Sequence, residues 1–239
     1  MSRRHYFARH QLKFLRHLFA FLAILALALG SAGAEAPAVN TDDLPWKKSI
    51  DAFVESDRKS APPPGGIVFV GSSTIRLWND LESDFRGFHP IILNRGFGGA
   101  RMSDCTRYLE RVVIPYKPRL VLVYAGDNDL AEGQQPRDIL NQFVSLVEGI
   151  RGVLPATRIA YISIKPSPAR YWLIAKIRET NELILKYTRA DKNLAFIDVF
   201  TPMLDSEGHP RRNLFRGDAL HLNRAGYTLW KSIIAPHVR

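Results

Sequence analysis

The chain has 239 residues, 46% of them hydrophobic, one cysteine, and 33 Lys and Arg against 23 Asp and Glu, for a formal net charge of +10. The basic residues beyond the N-terminus are scattered, without a polybasic run or interleaved aromatics, so nucleic-acid binding finds no support. Cys105 stands alone, which excludes a disulfide scaffold, and a chain of this length can build one packed core without cross-links.

Residues 1–34 read as a cleavable secretory signal. Arg3, Arg4, Arg9, Lys13 and Arg16 come with no acid, Leu18 to Leu29 is an unbroken apolar run, and Ala32, Gly33 and Ala34 supply a cleavage site. The run is shorter than the ~20 residues a spanning helix needs, so no stable membrane span is expected after cleavage. The expected location is the periplasm or the exterior, with 28 basic and 23 acidic residues remaining and a net charge of +5.

Residues 35–65 form a preamble. Ala36 to Leu44 is loop-like, Trp46 to Arg58 fits an amphipathic helix, and Pro62, Pro63, Pro64, Gly65 and Gly66 break it. The domain proper is expected over 66–239. Apolar runs at Ile67–Val70, Ile91–Leu93, Leu120–Tyr124, Ile159–Ile164 and Ala195–Val199 read as strands. Between them, Ile139, Leu140, Phe143, Leu146, Val147 and Ile150 share one helical face, as do Leu173, Ile177 and Ile184. Ala225, Leu229, Trp230, Ile233 and Ile234 mark a closing helix. Alternating strands and helices predict an α/β fold with a parallel sheet covered on both faces.

In such sheets ligands bind beyond the carboxyl ends of the strands. The loops at that edge carry Ser73, then Gly98 and Gly99, then Asn128, then Lys165 to Arg170, and lastly Asp218 with His221. Ser73 as nucleophile, His221 as base and Asp218 as its orienter make a serine triad. The N–H groups of Ser73 and Gly99 and the Asn128 amide are candidate donors to an oxyanion. Lys165, Ser167 and Arg170 either line the substrate cleft or belong to a solvated loop. Singly, each residue has a plainer use: Ser73 as a helix cap, the glycines as a turn, Asp127 and Asp129 as turn or cap residues. His89, His209 and His237 lack partners at ligand spacing, and Cys105 reads as a buried small hydrophobe, so neither metal nor cofactor is expected. Arg101 stands where a dinucleotide fingerprint needs its third Gly, and Ile75 where the Gly-x-Ser-x-Gly elbow needs its second, which sets both folds aside.

Gly71-Ser72-Ser73, Asn94-Arg95-Gly96-Phe97-Gly98-Gly99, Gly126-Asp127-Asn128-Asp129 and Asp218-Ala219-Leu220-His221 resemble blocks I, II, III and V of the SGNH hydrolases, the GDSL-type esterases and lipases. The resemblance covers 66–239, and Trp78 after the nucleophile is similar to the branch with platelet-activating-factor acetylhydrolase and bacterial carbohydrate esterases. It implies a flavodoxin-like, five-stranded three-layer α/β/α fold. It also implies Ser73, Asp218 and His221 as triad, with Ser73, Gly99 and Asn128 as oxyanion hole. The family usually has Asp where this chain has Ser72, which leaves Ser72 as a second candidate nucleophile. The expected function is hydrolysis of a small-molecule or glycan ester, with short acyl groups on carbohydrate or a lysophospholipid as substrates. An acyltransferase using the same triad and a non-catalytic carbohydrate- or lipid-binding domain are the alternatives.

Overall fold

The computed structural model describes residues 46–89 and 91–238; the expected signal over 1–34 lies outside them. Five strands, β1 (Ile67–Gly71), β2 (Ile92–Gly96), β3 (Leu120–Tyr124), β4 (Arg158–Ile162) and β5 (Leu194–Ile197), form one all-parallel sheet in the order β2-β1-β3-β4-β5. The chain leaves β1 toward one edge and returns past it to β3, so the order reverses between β1 and β3, where such sheets open a crevice.

Side chains alternate across each strand and feed two cores. Val68, Val70, Val121, Val123, Ile159 and Tyr161 face one way. They are covered by α1 (Lys47–Lys59), α4 (Met102–Arg107), α5 (Leu109–Val112), α7 (Pro136–Val153) and α8 (Ile174–Thr188). Ile67, Phe69, Leu120, Leu122, Ala160 and Ile162 face the other way, under α2 (Ser73–Arg76), α3 (Leu81–Phe85) and α9 (Arg224–Ile234). The short α6 (Asp127–Ala131) follows β3 at the crevice edge. The result is the expected three-layer sandwich, and all six face residues assigned to α7 are buried. In α9 the buried face is Gly226, Tyr227, Trp230 and Ile234, with Ala225 exposed, so that helix is rotated from the expected stripe.

β4 and β5 stop two residues earlier than their apolar runs because side chains take over the backbone partners. Asn181 accepts from the Ile164 N–H (2.8 Å) and donates to its carbonyl (3.0 Å), while Ser163 Oγ accepts from the N–H groups of Val199 and Phe200 (3.0 Å each). Both loops are thereby turned out at the crevice edge.

The preamble helix is packed onto the sheet. Ile50 is fully buried, and Arg95 bonds Asp57 Oδ1 (2.7 Å) between the rings of Phe53 and Tyr116. Burying Ile50 contributes about 2 kcal/mol, more than an exposed ion pair such as Arg58–Glu55 supplies. Among the described residues, Ile50 of this helix belongs to the same core as the strands. No helix among the described residues is long and apolar enough to cross a membrane.

Candidate active site

β1 delivers Ser73 through a close approach that only glycine permits. A Cβ on Gly71, at φ +149°, would stand 2.0 Å from the Tyr124 carbonyl oxygen. Ser72 N–H then donates to that oxygen (3.0 Å), and the chain enters α2 with Ser73 as its first residue. The two serines face different surroundings. Ser72 is fully buried and its Oγ has no hydrogen-bond partner among the described residues; Ser73 is half-buried and its Oγ lies 3.0 Å from His221 Nε2. Ser73 does not cap α2: Ser72 holds that position, without a side-chain cap bond.

Asp218 folds the loop that presents His221. Its Oδ1 accepts from the N–H groups of Leu220 and His221 (2.9 Å each), and its Oδ2 lies 2.7 Å from His221 Nδ1. Ala219 adopts left-handed backbone at φ +55°, at a cost of about 1 kcal/mol that the turn's bonds offset. Antiparallel pairing of Phe215 with Leu222, and the Arg216 N–H to His221 carbonyl bond (2.8 Å), close the loop. The His221 N–H, its ring and the Leu220 N–H together hold the Asp218 carboxyl well below the usual range. An ionised carboxylate only accepts, so Nδ1 carries the hydrogen and Nε2 is left to accept from Ser73 O–H.

Two further contacts underpin the turn that carries Ser73. Trp78 Nε1 donates to Asp84 Oδ2 (2.9 Å) and the Trp78 ring stacks on Tyr227 (centroids 5.0 Å apart), while Tyr227 O–H donates to the Thr74 carbonyl (2.9 Å). Burial would raise the Asp84 carboxyl, but Arg224, Trp78 and Lys231 together lower it to about 2. α9, which follows His221, is thus tied to the segment that follows Ser73.

Asn128, near the start of α6, is fixed from both sides. Its Nδ2 donates to the Ala100 carbonyl (3.0 Å) and its Oδ1 accepts from Arg170 Nη2 (2.9 Å). Arginine only donates and a carbonyl only accepts, so the amide has one consistent orientation, with a second Nδ2 hydrogen to spare. Gly99, at φ +78°, is exposed, and the space where a Cβ would stand is open. Among the described residues the N–H groups of Ser73 and Gly99 have no acceptor.

Lys165, Ser167 and Arg170 are placed differently from one another. Lys165 is buried, with Nζ 3.1 Å from Tyr124 O–H and 3.2 Å from Asp127 Oδ2; Ser167 is also buried. Arg170 is half-buried, with Nη1 3.2 Å from Asp127 Oδ2. Asp127 is therefore no turn residue. It is the buried anion between two cations, and although burial opposes ionisation, Lys165 and Arg170 hold its carboxyl below the usual range. The available sequence signal was a lysine directly after the apolar run Ile159–Ile164, a position that calls for an anion. Asp129 serves as a cap in trans, its Oδ1 accepting from the Met102 N–H (3.0 Å) at the start of α4; burial first, and Asp127 and Asp104 after it, push its carboxyl up to about 6. Cys105 is buried, and that burial raises its thiol well above the ordinary range.

Among solved structures, the chain is similar to a Streptococcus pneumonia protein provisionally assigned as a platelet activating factor (TM-score 0.70, 21% identity, 80% of this chain and 92% of that one covered). It is similar to a GDSL-like lipase from Bacteroides thetaiotaomicron (0.69, 22%, 79% and 96%). A carbohydrate esterase family 3 protein from Talaromyces cellulolyticus also resembles it (0.57, 18%, 73% and 96%). These likenesses show a shared fold. No curated protein matches the chain. The model of the GDSL-like lipase/acylhydrolase family matches residues 70–229, a span that runs from the end of β1 through both Asp218 and His221. The chain belongs to the GDSL-like lipase/acylhydrolase family and is a carboxylic ester hydrolase.

Proposed function

We propose that the protein is an exported serine esterase that removes short acyl groups, acetyl foremost, from carbohydrate. The observation that carries the chemistry is the unbroken line Ser73 Oγ, His221 and Asp218, at 3.0 and 2.7 Å. Ser73 Oγ attacks the ester carbonyl carbon as His221 Nε2 takes its proton, and Asp218 stabilises the imidazolium. The tetrahedral oxyanion is met by the N–H groups of Ser73 and Gly99 and by Asn128 Nδ2. Its collapse expels the alcohol, which leaves with the proton from His221, and acyl-Ser73 remains. His221 then deprotonates a water that attacks the acyl carbon. The second collapse returns the proton to Ser73 Oγ and frees the carboxylic acid.

The carbohydrate assignment rests on two exposed aromatic side chains in the loop that follows β4. Trp172 is 71% exposed and Tyr171 38% exposed, and they follow Ala169, whose N–H donates to the Ala219 carbonyl (3.1 Å) beside His221. An exposed indole three residues beyond that bond suits the flat apolar face of a sugar ring. The likeness to a carbohydrate esterase is in keeping with that choice. Export rests on the Arg-rich start and apolar run of residues 1–34.

The test is a screen of the protein without residues 1–34 against acetylated oligosaccharides, p-nitrophenyl esters of increasing acyl length and lysophospholipids. The expected result is highest kcat/KM on acetylated sugar, with activity falling as the acyl chain lengthens. A preference for long acyl chains or for lysophospholipid would overturn the carbohydrate assignment.

A further inference from the structure

Gly99 raises a problem that Asn128 does not: nothing on its own side chain can aim it. The peptide joining Gly98 to Gly99 is flanked by two residues without a Cβ, so its plane is free to rotate. A trans peptide carries its C=O and N–H in one plane, pointing opposite ways, and no cis bond occurs among the described residues. Rotation by half a turn would present the Gly98 carbonyl, in place of the Gly99 N–H, to a developing oxyanion. The repulsion would replace a stabilising contact.

One side chain restrains that plane, and it comes from outside the stretch that matches the family. Trp46, at the entry to α1, donates its Nε1–H to the Gly98 carbonyl oxygen (2.6 Å). The indole is itself fixed on the same loop. Its ring meets Phe97 edge-on (centroids 6.0 Å apart), and the Arg101 guanidinium lies 5.9 Å from its centre. Behind it, Ile50 is buried in the core and the Arg111–Asp51 pair ties α1 to α5.

We propose that Trp46 is a positioning residue for the oxyanion hole: by holding the Gly98 carbonyl, it turns the Gly99 N–H toward the substrate oxygen. This rests on the reading of Gly99 as an oxyanion donor. The preamble segment thereby becomes part of the catalytic apparatus.

The test uses the full chain and p-nitrophenyl acetate, with rates divided by active sites titrated with a fluorophosphonate, so that unfolded protein does not count. Trp46→Phe keeps a ring against Phe97 and removes only the donor. The expected result is a kcat about tenfold lower, short of the about hundredfold that removal of a donor costs. KM is expected to stay within about twofold, and affinity for a boronic acid that mimics the tetrahedral state to fall by the same factor as kcat. Trp46→His, which retains a ring N–H, is expected to keep more of kcat than Trp46→Phe. A purely structural role would lower the melting temperature without weakening the boronate. Unchanged kcat and boronate affinity in Trp46→Phe, or equal losses in the Phe and His variants, would overturn the proposal. Were Ser73→Ala still active, the esterase reading itself would fail; an inactive Ser73→Ala beside an unaffected Trp46→Phe would remove only the role of Trp46.

Discussion

Replacing Ser73 with alanine is expected to lower hydrolysis of p-nitrophenyl acetate by about a millionfold, as deletion of the nucleophile does in other serine hydrolases. The fold is expected to stand, because among the described residues Ser73 Oγ bonds only His221 Nε2, and a half-buried imidazole nitrogen can take a water in its place. Ser72→Ala is the matched control. It deletes a buried hydroxyl that has no partner, so the variant is expected to be as stable as the parent or slightly more so, and fully active. Circular dichroism and steady-state rates on the two variants separate the neighbours. Activity lost in Ser72→Ala and retained in Ser73→Ala would shift the nucleophile by one residue and break the link to His221.

Asn128→Ala is expected to lower kcat by about a hundredfold to a thousandfold with little change in KM, equivalent to roughly 3–4 kcal/mol of transition-state stabilisation. The split follows from where the donor acts: an N–H aimed at the oxyanion gains most once negative charge has formed on the oxygen. The substitution also leaves Arg170 Nη2 and the Ala100 carbonyl without their partner. That secondary loss should appear as a melting-temperature change of a few degrees. A rise in KM with kcat unchanged would assign Asn128 to ground-state binding.

β1 and β3 were legible because each is a short apolar run buried on both faces, and α7 because its period matches its buried stripe; β2 runs on through Asn94 and Arg95 to Gly96, past the apolar run that marks it. Ser73, Gly99, Asn128, Asp218 and His221 were legible because each follows a strand at one edge of a parallel sheet. What periodicity does not carry is which polar group meets which across loops. Asp127 pairs with Lys165 and Arg170, about 40 residues further along, and a turn residue with the same local sequence would look identical. Trp46 lies 52 residues before the carbonyl it holds, beyond a proline-rich break that reads as a boundary. The early ends of β4 and β5 have the same origin: Asn181 and Ser163 supply side-chain partners where the apolar run alone predicts more ladder.

The proposed mechanism requires Ser73 Oγ to be the atom that becomes acylated. A fluorophosphonate reacts with such an activated hydroxyl and stays on it, so incubation followed by proteolysis and fragment-ion mass spectrometry reads the modified residue directly. One adduct per chain is expected, on Ser73, absent from Ser73→Ala and greatly slowed in His221→Ala. An adduct on Ser72, on any other residue, or on none would contradict it.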